Sequence, residues 1–394
     1  MKAGPELRNE TNSDGSARWR RGWLSRLLLQ LRAVRYPIAL SLCTTIITFA
    51  FGVCAVLAFH KTVSQESWLA IWQRWDALSF VDLAQHGYPH GVNKRKYLIV
   101  WLPVYPIAIR ITRLFIPNWP AAAVVLSNVC CAAALSYLFL LARMEYNTRL
   151  ARRAVLFCAI FPTAYFLHIG YSEAIFLLLS VATFYYARRG NWFLCGAFGM
   201  LATGTRVPGI AILPPLALEY FQQRDFRWRA IRWDIAGLAL VPLGAAAYLW
   251  INFRYFGDPL HFLVVERQGW SAFLRWPLPS FAGNWYGIRN AAADERLIQY
   301  GGPFAAFCIT TATLVAAPFC LRPCYALYLG LSWVIIFCNN FPLASPRYVL
   351  SVFPVFLVMA RVSRSQWLGD ALAFLSALFY AICAMHFARG WWGF

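Results

Sequence analysis

Asp76 and Asp82 stand six residues apart in WLAIWQRWDALSFVDLAQHGY, Trp68 to Tyr88, a stretch too polar for a bilayer core that follows the first long apolar segment. An ionised carboxylate just outside a membrane crossing is a candidate general base. On one helix the two acids would lie about 240° apart at about 100° per residue, so they line one site only if the helix breaks. Asp82 and His86 are four apart, a spacing that suits a local pair. Further polar groups interrupt the apolar chain: His168 with Tyr171-Ser172-Glu173, Arg206 ahead of Val207-Pro208-Gly209, and Arg347-Tyr348 after Pro346. Acids and arginines at membrane depth are expensive and face a cavity or each other. Carboxylates act as bases, and guanidinium groups hold phosphate oxygens with paired donors. Together they are equipment for moving a group carried on a lipid phosphate. Plainer roles compete at each position: Asp76 as a wet interfacial acid beside Arg74, Glu173 as a helix-dipole acid, Arg206 and Arg347 as snorkelling side chains, and His168 as a satisfied helix-end histidine.

The elements that must position these groups are apolar helices. The chain has 394 residues, of which 60% are hydrophobic and 13% charged. Its apolar runs are continuous and close to the length that spans a bilayer as a helix, which predicts an all-α polytopic membrane protein and not a barrel. The net charge of +20 comes from Arg clustered at the ends of apolar runs. That is the positive-inside pattern, not the continuous basic face of a nucleic-acid binder, so no nucleic acid is expected as a partner. The eleven cysteines include no CxxC pair, and most lie in apolar runs as small hydrophobes. HExxH and nucleotide-binding glycine motifs are absent, and no ligand cluster points to a metal.

Residues 1–35 read as a cytoplasmic basic tail with an interfacial helix carrying Trp19, Trp23, Leu27 and Leu31. Residues 36–394 form the transmembrane domain. Segment 37–59 is a signal anchor with the N-terminus inside, followed by a first outer loop, 60–100. Segment 98–116, with two prolines and two arginines, reads as re-entrant or interfacial. If it spanned, Arg143–Arg153 would fall outside, against the charge rule. Spans then follow at 121–142, 154–170, 172–188, 192–206, 207–222, 234–253, 301–320, 325–341, 347–361 and 367–388, with a second outer loop at 254–300. Every polar spot described above lies on one side of this arrangement.

Five motifs carry a resemblance. Arg74-Trp75-Asp76 with Asp82-Leu83-Ala84-Gln85-His86-Gly87-Tyr88 resembles the first-loop signature of the PIG-V type mannosyltransferases, which have the GT-C fold and bacterial relatives. Trp101-Leu102-Pro103-Val104-Tyr105-Pro106 is similar to their FPLYP element, and Tyr171-Ser172-Glu173-Ala174-Ile175-Phe176 to YTESLF. Thr205-Arg206-Val207-Pro208-Gly209 with Leu213-Pro214-Pro215 resembles TRxxG…LPP, and Pro346-Arg347-Tyr348-Val349-Leu350 with Phe353-Pro354 resembles RYxLxxFP. Order and spacing agree from about residue 75 to 355. The chain departs at Ser79-Phe80, where relatives often carry Trp-Tyr, and at Trp101, where they carry Phe.

The resemblance implies a GT-C-like bundle of about eleven transmembrane helices with two larger outer loops. It implies transfer of a sugar, typically mannose, from a polyprenyl-phosphate donor to a hydroxyl acceptor on a lipid, glycan or protein, with inversion, on the non-cytoplasmic face. Asp76 takes the position of the base. Arg206 and Arg347 fall where the leaving phosphate would be steadied, Glu173 and His168 where sugar or acceptor hydroxyls would be oriented, and Tyr348, Asp82 and His86 are further substrate-binding candidates. A divalent cation is compatible with the family, although no ligand set here implies one. The expected setting is a cell inner membrane, in contact with its lipids. A lipid-sugar transporter or flippase and a non-catalytic membrane partner are the competing readings; the first expects internal repeats, which the sequence does not display.

Overall fold

Asparagine starts three of the helices. Asn118, Asn147 and Asn191 each accept a backbone N–H three residues on, at 2.9, 3.0 and 3.2 Å, satisfying a donor left open in the first turn. They begin α4 (Trp119–Glu145), α5 (Thr148–Ala159) and α7 (Trp192–Thr203). Proline follows the opening of several others, where its missing N–H removes no helical bond. The computed structural model describes residues 33–58, 68–89, 95–292 and 296–392. The basic tail with its interfacial helix, and the acids Asp294 and Glu295, lie outside the described residues apart from the tail's last few positions.

Around these run α1 (Arg35–Ala58), α2 (Asp76–His86), α3 (Val104–Thr112), α6 (Glu173–Arg188), α8 (Leu213–Gln222), α9 (Ala236–Leu240) and α10 (Leu243–Phe256). There follow α11 (His261–Trp270), α12 (Pro277–Asn290), α13 (Gly302–Cys320), α14 (Pro323–Phe337), α15 (Ser345–Leu350), α16 (Pro354–Val362) and α17 (Gln366–Ala388). The described residues form no named strand, only one isolated bridge between Leu274 and Asn339. The protein is an all-helical, multi-pass membrane protein.

Five helical stretches are long and apolar enough to cross a bilayer: Arg35–Ala58, Trp119–Glu145, Trp233–Phe256, Arg296–Cys320 and Gln366–Ala388. A sixth forms if Pro342–Leu350 and Pro354–Val362, bent by 74°, count as one broken span. The other stretches read as spans are helical too, but shorter. The run 154–170 leaves α-helix after Ala159 and tightens into a 3-10 turn at Ala164–Leu167. Segment 98–116 yields only the nine residues of α3, about 13 Å of helix, which is too short to span.

The core is built around α6. Twelve of its 16 residues are buried, including Phe176 and Phe184, as expected of a helix apolar all round. It packs between α4 and α7, while α1 lies against α4 and α17. Small residues bring backbones together where apolar bulk gives no selectivity in lipid. A methyl group on Gly244 of α10 would collide with the Met200 carbonyl of α7, and one on Gly196 would collide with the Gly237 carbonyl of α9.

The bundle has two polar ends. α6 starts at Glu173 and ends at Arg188, which pairs with Glu145 at the end of α4. The start of α1 meets the same end, through Tyr36 against Phe139. Near its other end, α1 packs Phe49 on Trp72, just before Asp76.

Candidate active site

Asp76 opens α2 behind a residue in an unfavourable conformation. Trp75 has φ 48°, in the left-handed region that bulky side chains avoid. The ring packs edge-on against Phe387 at 4.9 Å and Trp392 at 5.1 Å, contacts that hold the backbone there. The Tyr171 hydroxyl donates to the Arg74 carbonyl at 2.8 Å, and Arg74 Nε donates to the Ile71 carbonyl at 2.8 Å. The turn that presents Asp76 is thus fixed by α17 on one side and by the segment before α6 on the other.

From Asp76 a chain of alternating charge runs into the bundle. Arg347 Nη1 lies 2.8 Å from Asp76 Oδ2, and Arg347 Nε lies 3.2 Å from Glu173 Oε1. Arg206 pairs with the same Glu173 oxygen, and its Nη1 also donates to Ser172 Oγ at 2.9 Å. Glu173 is fully buried, Arg347 and Arg206 are 7% and 11% exposed, and Asp76, at 22%, is the member most open to an incoming group. Rings make the buried guanidinium groups tolerable. Phe166, Tyr171 and Tyr348 surround Arg347 at 5.4, 5.4 and 5.5 Å, and Arg206 lies over Tyr348 at 5.0 Å.

The cluster is balanced in charge but not in hydrogen bonds. Arg347 Nε and Nη1 sit at ion-pair distance from the two carboxylates without a directed bond to either, and Glu173 Oε2 has no partner among the described residues. Buried donors in that state are available to a ligand oxygen. The space between Asp76 and Glu173 is taken by the Arg347 guanidinium. Among the described residues, no three His, Cys, Asp or Glu side chains gather as a metal would require.

Asp76, Glu173, Arg206, Arg347 and Tyr348 come together from four separated stretches of chain. Three other candidates do not join them. Asp82 lies on α2 with Asp76 but faces away, as six residues of unbroken helix require; it takes a forked pair from Arg95 at 2.8 and 2.9 Å. His86 Nδ1 meets Asp82 at 2.8 Å in that same local group. His168 is fully buried between α1 and α4. Its Nδ1 contacts Asn128 at 2.8 Å and Thr45 at 3.2 Å, which ties it into the helix packing, while its Nε2 has no partner among the described residues.

Phe166 and the supporting roles of Trp75 and Tyr171 are not legible in the sequence. Phe166 carries no sequence signal, because it is one Phe among 31. Trp75 and Tyr171 were visible only as neighbours of acids. Beyond α2 stands a tier of aromatic rings: Phe80 against Trp101 at 6.2 Å, Tyr97 against Trp101 at 5.8 Å, and Trp101 against Trp270 of α11 at 5.9 Å.

Fold and cluster together define a multi-pass helical membrane protein with a buried acid–arginine centre at one end of the bundle. No family model matches the chain. Over 149 residues, 35% of this chain, it is 30% identical to GPI alpha-1,6-mannosyltransferase 2 of Cricetulus griseus. It is 32% identical over 153 residues to the same protein of Mus musculus. The matched stretches span 29% and 30% of those proteins, so the chain matches under a third of their length. Both relatives are GPI mannosyltransferases, and the similarity covers about a third of this chain. Among solved structures, the Archaeoglobus fulgidus oligosaccharyltransferase in complex with Zn and sulfate aligns over 88% of this chain and 53% of its own, at 15% identity and TM-score 0.48. ArnT from Cupriavidus metallidurans bound to undecaprenyl phosphate aligns over 91% and 78%, at 14% identity and TM-score 0.45.

Proposed function

We propose that the chain is an inverting GT-C glycosyltransferase that moves a sugar, mannose by its relatives, from a polyprenyl phosphate to a hydroxyl acceptor. The observation that carries this reading is the Asp76–Arg347–Glu173–Arg206 chain: one accessible carboxylate held against a guanidinium whose buried donors are unsatisfied. In the reaction the acceptor oxygen attacks C1 of the sugar while the bond from C1 to the phosphate oxygen breaks. Asp76 takes the hydroxyl proton, and the polyprenyl phosphate leaves with the bonding electrons. Phosphate leaves without an acid partner, so one base suffices. Arg347 and Arg206 receive the charge that develops on it, in a setting already shielded from water. Engagement of the phosphate draws Arg347 from Asp76 Oδ2 and frees that oxygen for the proton. Glu173 holds both arginines in place while this happens, and Tyr348 lies beneath them.

Charge supports the orientation. Arg35, Arg143, Arg149, Arg152, Arg188 and Arg189 sit at the ends of α1, α4, α5 and α6 remote from Asp76, where the positive-inside rule places the cytoplasm of an inner membrane. The cluster then opens on the outer face, beside the aromatic rings of α2 and α11, which suit a sugar or a prenyl chain.

The test is to incubate the purified protein with radiolabelled polyprenyl-phosphate mannose and a membrane extract. Label passing to a lipid, glycan or protein with wild type, and not with Asp76→Asn, supports the reading. Uptake of the lipid-linked sugar into proteoliposomes with no covalent product would replace it with transport.

A further inference from the structure

We propose a second anion site at the opposite end of the bundle, an arginine-lined cleft between α1, α4 and α5 that takes a phosphate-bearing headgroup. The cleft is open to solvent, with a volume of about 750 Å³, and is lined by Arg35, Tyr36, Phe139, Arg143, Thr148 and Arg152. The Arg143 guanidinium lies over the Phe139 ring at 5.6 Å and that of Arg152 over the Tyr36 ring at 5.4 Å. A guanidinium supported on a ring face keeps its edge donors for a ligand, and their fork matches phosphate oxygens.

Among the described residues none of the three arginines has a carboxylate partner. The acid nearest in sequence, Glu145, is held by Arg188 at 2.7 Å and by the Tyr325 hydroxyl at 2.9 Å. Three like charges grouped around one cleft set up a positive potential that draws an anion to it. Arg143 also lines an adjoining cleft of about 390 Å³ with Tyr185 and Arg189, extending the basic strip along the surface.

Volume and position narrow the ligand. The cavity is far larger than one phosphate and fits one or two phosphates with a glycerol between them. It lies where α1 enters the bilayer, about 36 Å of helix from the Asp76 end. A headgroup there belongs to the other leaflet and is not the donor of the proposed reaction. Basic pockets between helices on such a face bind the headgroups of anionic phospholipids.

The experiment uses the full-length protein in nanodiscs. Native mass spectrometry reads retention of phosphatidylglycerol and cardiolipin against phosphatidylcholine, and calorimetry reads binding of inorganic pyrophosphate. The three arginines are exposed, so Arg143→Gln with Arg152→Gln should fold, and unchanged thermal melting checks it. At least a tenfold loss of anionic-lipid retention in that variant is expected. Arg227→Gln with Arg229→Gln, exposed arginines on the same face, serves as the control and should leave retention unchanged. Lipid retention without a pyrophosphate signal assigns the site to a headgroup. Pyrophosphate binding that the same variant abolishes assigns it to a soluble phosphate compound. Unchanged retention and no pyrophosphate binding, or equal loss in the control, would overturn the site in favour of general surface charge.

Discussion

Arg347 is the residue on which the cluster turns, because it is shared by two acids and fully satisfies neither. In the proposed reaction Asp76→Asn keeps the shape but loses the base. Transfer is expected to fall by at least about 10³-fold, toward the upper part of the range for a positioned base, with insertion and accumulation unchanged. Labelled-product assays and membrane blots on the same preparations check both halves. Arg347→Gln should cost a similar factor, because Glu173 is then left buried against one arginine. Groups that act as one unit are not additive. Asp76→Asn combined with Arg347→Gln should therefore be little worse than either alone, and a double-mutant cycle on kcat/KM measures this. A fully additive cycle would mean that the two act separately.

Elements make their own demands. α10 packs so closely on α7 that a methyl group at Gly244 meets the Met200 carbonyl. Gly244→Ala should destabilise the protein by about 1–3 kcal/mol, as overpacking does, seen as a lower melting temperature in detergent. α11 carries Glu266, whose carboxyl burial pushes up from its usual range to about 7. A carboxyl whose folded pKa is raised binds its proton more tightly when folded. The stability it contributes is complete below its unfolded pKa near 4.5 and is lost as pH rises through about 7. Melting temperature should thus fall between about pH 4.5 and 7, and Glu266→Gln should flatten that slope. An equal slope in the variant would assign the dependence to another group.

At the scale of the whole molecule, a second charged network ties the end of the bundle remote from Asp76. Arg188 joins Glu145 at 2.7 Å and Glu219 at 2.9 Å, and Gln223 Nε2 donates to Glu219 at 2.8 Å. Glu219 is fully buried, so Arg188→Ala leaves it with only the more distant Arg322, at 3.7 Å. Removing one partner of such a group costs about 3–5 kcal/mol, and the variant should lose most of its yield from the membrane. Orientation is tested directly. With the exposed Cys43, Cys54 and Cys308 replaced by Ser, an impermeant thiol reagent added to intact cells should label Gln85→Cys and not Arg149→Cys. The reverse would put the Asp76 end in the cytoplasm and remove the proposed donor geometry.

Much of this was written in the chain. Continuous apolar runs with Arg at their ends specify membrane helices, because each residue's cost in lipid is nearly independent of its neighbours. The angle between Asp76 and Asp82 followed from helical geometry alone, and so did the pairing of Asp82 with His86. Other matters were settled only by packing. That 154–170 breaks after Ala159 depends on the turns that α5 and α6 must make. His168 is claimed by Asn128 and Thr45, which no spacing reveals. Arg347 meets Asp76 across 271 positions of chain, and nothing in the spacing of either residue indicates that pairing. It arises because both lie at breaks in helices stacked around α6, where charges buried in a low dielectric must find one another.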